Sequence, residues 1–304
     1  MPTWLRSSLV LACCTAIIAA PLAAQGNFDT VQVRSVRVAE GIYMLTGAGG
    51  NIGVSLGDDG TLLIDDQFAP LTAKIQAAVR GLTSQSVKYL INTHWHGDHV
   101  GGNENFGNAG VLILAHDNVR ARMSVEQVMP KFNQKVPPSP KVALPVVTFP
   151  DTVSVHVNGE DIVAFHVRNA HTDGDVMVKF TKANVVHAGD VYVRYGYPFI
   201  DDASGGSFLG ILAGTERLLK VTNAETKYIP GHGNLATRAD VEAYHKMLVT
   251  IRDRVHAAIK AKTSLKALVA AKPLADLDGE YGKSGFVKAD DILTMAYGEL
   301  TKKP

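Results

Sequence analysis

Between residues 92 and 103 the chain reads NTHWHGDHVGGN, with three histidines and an aspartate inside the six positions from His94 to His99. Neutral imidazole and carboxylate are ligand types that zinc accepts. Alternate side chains of an extended segment share a face, so His94 and His96 can meet one ion. Gly97 permits a bend, and Asp98 and His99 then face a neighbouring position. A catalytic zinc ion usually takes three protein ligands and keeps one position for water. A second ion, about 3.5–4 Å away, needs its own donors and a bridging group. Three later stretches carry further candidates: His171 in NAHTDGD, Asp190 in HAGD and His232 in PGHGN.

Each stretch follows a segment of strand character, where a loop can present side chains at a sheet edge. VQVRSVRV (31–38), GIYMLTG (41–47), NIGVSLGDDG (51–60) and TLLIDD (61–66) read as short strands, with Gly-Asp-Asp-Gly as a hairpin turn. APLTAKIQAAVRGL (69–82) has helical spacing and ends in glycine, and VKYLIN (87–92) is a buried strand running into the histidines. VLILAH (111–116) reads as a strand, NVRARMSVEQVM (118–129) as a helix, and the proline-rich 130–145 as the seam between two halves. A hairpin over 153–167, strands at 176–180, 184–190 and 227–233, and a helix over 207–221 repeat the style. From 237 onward the pattern is helical. Strands followed by helices, twice, predict an α/β (α+β) chain of two packed sheets with helices outside. No solenoid period and no low-complexity tract interrupts it.

Composition narrows the function classes. The 304 residues are 46% hydrophobic and 19% charged, and 30 basic against 29 acidic side chains leave a net charge of +1. That is ordinary globular composition without the basic excess of a nucleic-acid-binding surface. The N-terminal MPTWLRSSLVLACCTAIIAAPLAAQG has one positive charge, an apolar run from Leu9 to Ala20 and a small-residue end. This is the layout of a secretory signal peptide over residues 1–24, with cleavage near Ala24 and a periplasmic or secreted product. A lipoprotein signal acylated at Cys13 is the weaker rival, because residues after Cys13 stay apolar. Both cysteines, Cys13 and Cys14, leave with the peptide, as does Trp4. The mature chain then has no thiolate ligand, and Trp95 is its sole tryptophan. No later segment approaches the roughly 18 consecutive apolar residues of a membrane span.

His-x-His-x-Asp-His, His-Thr-x-Gly-Asp, Gly-Asp after a strand and Gly-His-Gly occur in that order, with LLIDD upstream. In this the chain resembles the metallo-β-lactamase superfamily over about residues 35 to 237. The resemblance implies an αββα sandwich, with a domain over 25–237 and a helical C-terminal extension over 238–304 packed on it. It implies two zinc ions per chain at the sheet edge. His94, His96 and His171 would hold the first; Asp98, His99 and His232 the second; Asp190 would bridge them. Asp65 would be a buried anchor behind the ligands rather than a ligand. Asp98 would also be catalytic, orienting the nucleophile and passing a proton to the leaving group.

One group of lactamases carries cysteine at the position of Asp190, whereas lactonases and glyoxalase II-like thioesterases carry aspartate. The expected function is therefore an exported zinc hydrolase of β-lactamase type. A lactonase or thioesterase of the same fold and an iron-dependent oxidoreductase are the alternatives, and a non-catalytic metal binder is the blandest. A small-molecule substrate is the expected partner. YVRYGYPF (192–199) is expected to wall the pocket, with Trp95, Tyr192, Arg194 and Tyr197 as lining residues and Arg194 one step off the spacing of a carboxylate-gripping base. GAGGN (47–51) fits either a plain hairpin or a flap. His166 competes with His171 but sits in a strand, where a structural histidine is the simpler reading.

Overall fold

The computed structural model describes residues 27–302; the expected signal peptide, with Cys13, Cys14 and Trp4, lies outside the described residues. The first half runs β1 (Arg34–Ala39), β2 (Ile42–Thr46), β3 (Ile52–Ser55), β4 (Thr61–Ile64), α1 (Thr72–Arg80), β5 (Val87–Ile91), α2 (Gly97–Val100), α3 (Asn103–Asn108), β6 (Leu112–His116), α4 (Asp117–Met123), β7 (Gln127–Met129), β8 (Gln134–Val136) and β9 (Val147–Phe149). The second runs β10 (Thr152–Val157), β11 (Glu160–His166), β12 (Val176–Phe180), β13 (Val185–His187), α5 (Phe208–Lys220), β14 (Lys227–Ile229), α6 (Arg238–Lys260), α7 (Leu265–Ala270), α8 (Ala275–Tyr281) and α9 (Ala289–Thr301).

One sheet has the order β1-β2-β3-β4-β5-β6-β9 and the other β10-β11-β12-β13-β14. The first is antiparallel as far as β4 and parallel from β4 to β9. The second is antiparallel until β14 joins β13 in parallel. The burial of β4 shows how the layers arise. All of TLLI is buried. Leu62 and Ile64 meet Ile162, Val176 and Phe180 of the other sheet, while Leu63 points the opposite way, to Ile75 and Val79 of α1. A strand covered on both faces needs no polar alternation. On the far side, Phe165, Met177 and Val186 share a core with Phe208 and Leu218 of α5, Leu248 of α6 and Leu293 of α9. The result is the αββα sandwich. The C-terminal helices supply much of its outer layer, and α6 is started by a capping box between Thr237 and Asp240.

Two local expectations are corrected. The helix expected over 118–129 stops at Met123, and Gln127–Met129 pairs with Gln134–Val136 as a separate hairpin. The proline-rich 130–145 is not the seam. Val147–Phe149 pairs in parallel with Leu114–His116, so the first half continues through Phe149 and the crossover falls at Pro150–Asp151. Long-range pairing overrides local propensity at both places. Among the described residues, no helix is long and apolar enough to cross a membrane.

Candidate metal centre

The histidine loop leaves the C-terminal end of β5 and is tied to the end of β4 by Asp65. The Asp65 carboxylate accepts from the Thr93 N–H and Thr93 Oγ1, both at 2.7 Å, and from His99 Nδ1 at 2.8 Å. Asp65 and Gln67 both have positive φ, 64° and 57°. Such strain in non-glycine residues costs about 1–3 kcal/mol each and persists where surrounding bonds over-determine it. Here it turns the Asp65 carboxylate beneath the loop.

Proton positions follow from the partners. Thr93 Oγ1 gives its proton to Asp65, so at 3.0 Å it accepts from His94 Nδ1. His94 Nε2 is left with a lone pair and, among the described residues, no hydrogen-bond partner. Asp201 accepts from His96 Nε2 at 2.9 Å, leaving the His96 Nδ1 lone pair free. The Phe199 carbonyl accepts from His171 Nδ1 at 2.8 Å, leaving the Nε2 lone pair free. The free atoms of His96 and His171 then face each other at 2.8 Å. Two lone pairs at that distance repel unless a cation or proton lies between them. Asp175 fixes the His171 loop by accepting from the His171 N–H at 2.6 Å, the Thr172 N–H at 2.9 Å and Thr172 Oγ1 at 2.6 Å.

Alongside lies a carboxylate-rich group. His99 gives its Nδ1 proton to Asp65, and its Nε2 stands 3.2 Å from Asp190 Oδ1 and 3.5 Å from Asp98 Oδ2. His232 Nε2 is 3.2 Å from Asp98 Oδ2 and 3.4 Å from Asp190 Oδ2, and the latter is 3.7 Å from His171 Nε2. Asp190 therefore sits between the two groups. It follows the end of β13, and Gly231 makes room for it: a Cβ there would lie 2.0 Å from Asp190 Oδ1. Asn51 holds the His232 loop by donating to the carbonyls of Pro230 at 2.9 Å and Gly233 at 2.7 Å. GAGGN belongs to this floor: a Cβ on Gly50 would lie 2.2 Å from the His99 ring.

Electrostatics separate the two groups. Burial, reinforced by neighbouring histidines, holds His94 well below the usual imidazole range. Burial also takes His171 down to about 4. Burial acts in the same direction on His99 and His232, but the carboxylates outweigh it. Asp98, Asp190 and Asp65 hold His99 well above its ordinary value, and Asp190 and Asp98 raise His232 to about 9. Burial opposes the charge of Asp98 and Asp190, yet His99 and His232 keep both carboxyls below the usual range.

The donor set fits metal ions. The ligand atoms of His94, His96 and His171, of His94, His99 and Asp190, and of Asp98, His99 and His232 lie within 4.8 Å of one another inside each trio. All seven expected residues thus converge, from the ends of β5, β13 and β14 and the β11–β12 connection. His166 lies outside, stacked on His116 with ring centroids 3.7 Å apart.

The expected pocket lining needs correction. A cleft of about 500 Å³ opens above the centre, and Trp95, Tyr192, Arg194 and Tyr197 do not line it. Trp95, between His94 and His96, packs instead into a core with Val119, Met123 and Met129. Tyr192 packs edge-on against Tyr244, and Tyr197 is buried with its hydroxyl on Asp278. Arg194 donates to the Leu235 carbonyl at 2.7 Å and to Asp240 at 3.0 Å. The same segment supplies Tyr195 and Phe199 to the cleft instead. Gly196, between Tyr195 and Tyr197, has a positive φ of 138°. Phe132 from the β7–β8 hairpin and Ser284 and Phe286 from the loop before α9 complete the mouth.

In sequence, residues 45–236 match the metallo-beta-lactamase superfamily, ending just before α6. No curated protein matches the chain. Among solved structures, a metallo-beta-lactamase from Pontibacter korlensis superposes with a TM-score of 0.60 at 16% identity, covering 71% of this chain and 99% of that one. The DIM-1 metallo-beta-lactamase gives 0.58 at 18% identity, over 72% and 99% of the two chains. The FIM-1 enzyme from Pseudomonas aeruginosa, in a mono-zinc form, gives 0.57 at 17%, over 72% and 95%. At these identities the likeness is one of fold.

Proposed function

The chain belongs to the metallo-β-lactamase superfamily, and we propose that it is an exported dinuclear zinc hydrolase that opens a cyclic amide or ester. The observation that carries this reading is the convergence of unpaired donors. His96 Nδ1 and His171 Nε2 face each other at 2.8 Å, and His94 Nε2 beside them has no partner among the described residues. His94, His96 and His171 would hold one ion, Asp98, His99 and His232 the other, with Asp190 between them. Zinc at such donors lowers the pKa of water to about 7 and polarises a carbonyl.

The chain's own residues supply the rest. Asp98 lines the cleft, and its carboxylate orients the attacking water and takes its proton. The water oxygen joins the carbonyl carbon, the ring C–N or C–O bond breaks, and Asp98 returns the proton to the leaving atom. Tyr195 accepts at its hydroxyl from the Phe199 N–H at 3.3 Å, and burial holds its own proton firmly. That O–H is a neutral donor for a substrate oxygen. The neighbours' names point to a β-lactam as the ring; Asp190 in place of cysteine favours a lactone or thioester.

The test is a turnover screen of purified, zinc-loaded protein against a chromogenic cephalosporin, lactones and thioesters, alongside metal analysis. Hydrolysis of at least one class with two zinc ions per chain is expected. Iron as the retained metal with no hydrolysis would replace the proposal with an oxidoreductase reading. Retention of the signal sequence on protein recovered from cells would overturn export.

A further inference from the structure

Above the polar floor, the cleft is walled by Phe68, Met129, Phe132, Val136, Phe199 and Phe286. Three of these rings come from three distant segments and meet at the mouth. Phe132 and Phe286 stack with centroids 6.1 Å apart, and each lies 5.7 Å from Phe199. Phe132 is 46% exposed and Phe286 38%. Contiguous exposed apolar surface rimming a polar site marks a place where something apolar is covered on binding.

Charge at the wall completes the picture. Among the described residues no lysine or arginine lines the cleft. Four basic side chains near it have other partners: Arg194 with Asp240, Arg122 with Asp173, Lys135 with Glu126, and Lys131 with Asp291 while it stands 5.8 Å from the Phe286 ring centre. The carboxylates facing the cleft are Asp98 and Asp190. The positive charge of a bound metal pair belongs to the floor, where the reacting carbonyl goes, and not to the wall along which the rest of a substrate lies. A carboxylate on that distal part would lose water without gaining a counter-ion, which is costly.

We propose that the cleft takes an uncharged cyclic ester or amide bearing an alkyl or aryl arm, and that Phe132 and Phe286 are the residues that select the arm. The reacting ring rests on the hydrolase reading above; the arm is read by binding alone. The experiment is calorimetry of the full, zinc-loaded chain with two hydrolysis-resistant five-membered lactams, one with a phenylalkyl arm and one with a carboxyalkyl arm. The phenylalkyl compound binds tighter by roughly ten- to a hundredfold. The double variant Phe132→Ala, Phe286→Ala loses that preference, and Phe132→Lys shifts it toward the carboxyalkyl compound. Both positions are solvent-facing, so the variants keep the native circular dichroism. Equal affinity for the two arms, or a preference that survives the double variant, overturns the assignment. Turnover of the corresponding lactones is the separate readout. Arm-selective binding without hydrolysis leaves the arm assignment standing and sinks the hydrolase reading; hydrolysis without arm preference does the reverse.

Discussion

At the floor of the cleft, His94, His96 and His171 are buried, and each ring is fixed by a hydrogen bond from its other nitrogen, to Thr93, Asp201 and the Phe199 carbonyl. At the mouth, Phe132 and Phe286 are exposed and meet other rings without any polar anchor. Donors that must present lone pairs to one point need rigid support, because a displacement of about 1 Å forfeits the geometry. An apolar wall needs only shape and area, and tolerates adjustment. The strained Asp65 sits under the floor, where its three hydrogen bonds hold it.

The comparison breaks most sharply at His96. His96→Ala should lower turnover by more than about a hundredfold, beyond the usual cost of losing a group behind a ligand, with far-UV circular dichroism unchanged. Retention of full turnover would show that the floor is not the reacting site. Asp201→Ala tests support rather than ligation. It removes the acceptor that fixes which His96 nitrogen is free, and should weaken metal binding by about 10–100-fold. Because no reacting group is lost, kcat at saturating zinc should fall far less than the metal affinity. A kcat loss that excess zinc does not restore would contradict this.

A smaller effect separates the two halves of the floor. His94 and His171, held low by burial, are neutral at pH 7, whereas His99, held high, and His232, near 9, are imidazolium and carry a second proton. A metal need displace no second proton from His94 or His171, but must displace one from each of His99 and His232. Its affinity for the carboxylate-rich side should therefore rise with pH through 7 toward 9, by about tenfold per pH unit for each proton displaced. Titration calorimetry in two buffers of different ionisation enthalpy should count about two protons released there at pH 7. Equal release on both sides would erase the distinction.

The two regions also differed in legibility. His94, His96, Asp98 and His99 lie within six positions, so residue type and the two-residue period of an extended chain were enough to single them out. The strands of both sheets other than β9 were visible for the same reason, down to TLLIDD leading into Asp65. The mouth had no such signal. Phe132 sits in a hairpin that reads locally as proline-rich loop, and Phe286 lies about 150 residues away from it in sequence (the separation being a matter of topology). Trp95, Tyr192, Arg194 and Tyr197 were singled out by neighbourhood along the chain, whereas their contacts lie away from the cleft, with a second core, Tyr244, Asp240 and Asp278.

What the sequence determined by itself is the donor chemistry: which residues carry imidazole or carboxylate, in what order, and after which strands. These are properties of side-chain type and local period, and need no knowledge of distant contacts. Only the tertiary structure decided which nitrogen of each ring is free. That depends on partners such as Asp201, 105 positions from His96, and Asp65, 34 positions from His99. The same holds for the wall. A hydrogen bond or ring contact between distant segments is set by how two sheets and their helices pack, and nothing in either segment alone specifies it.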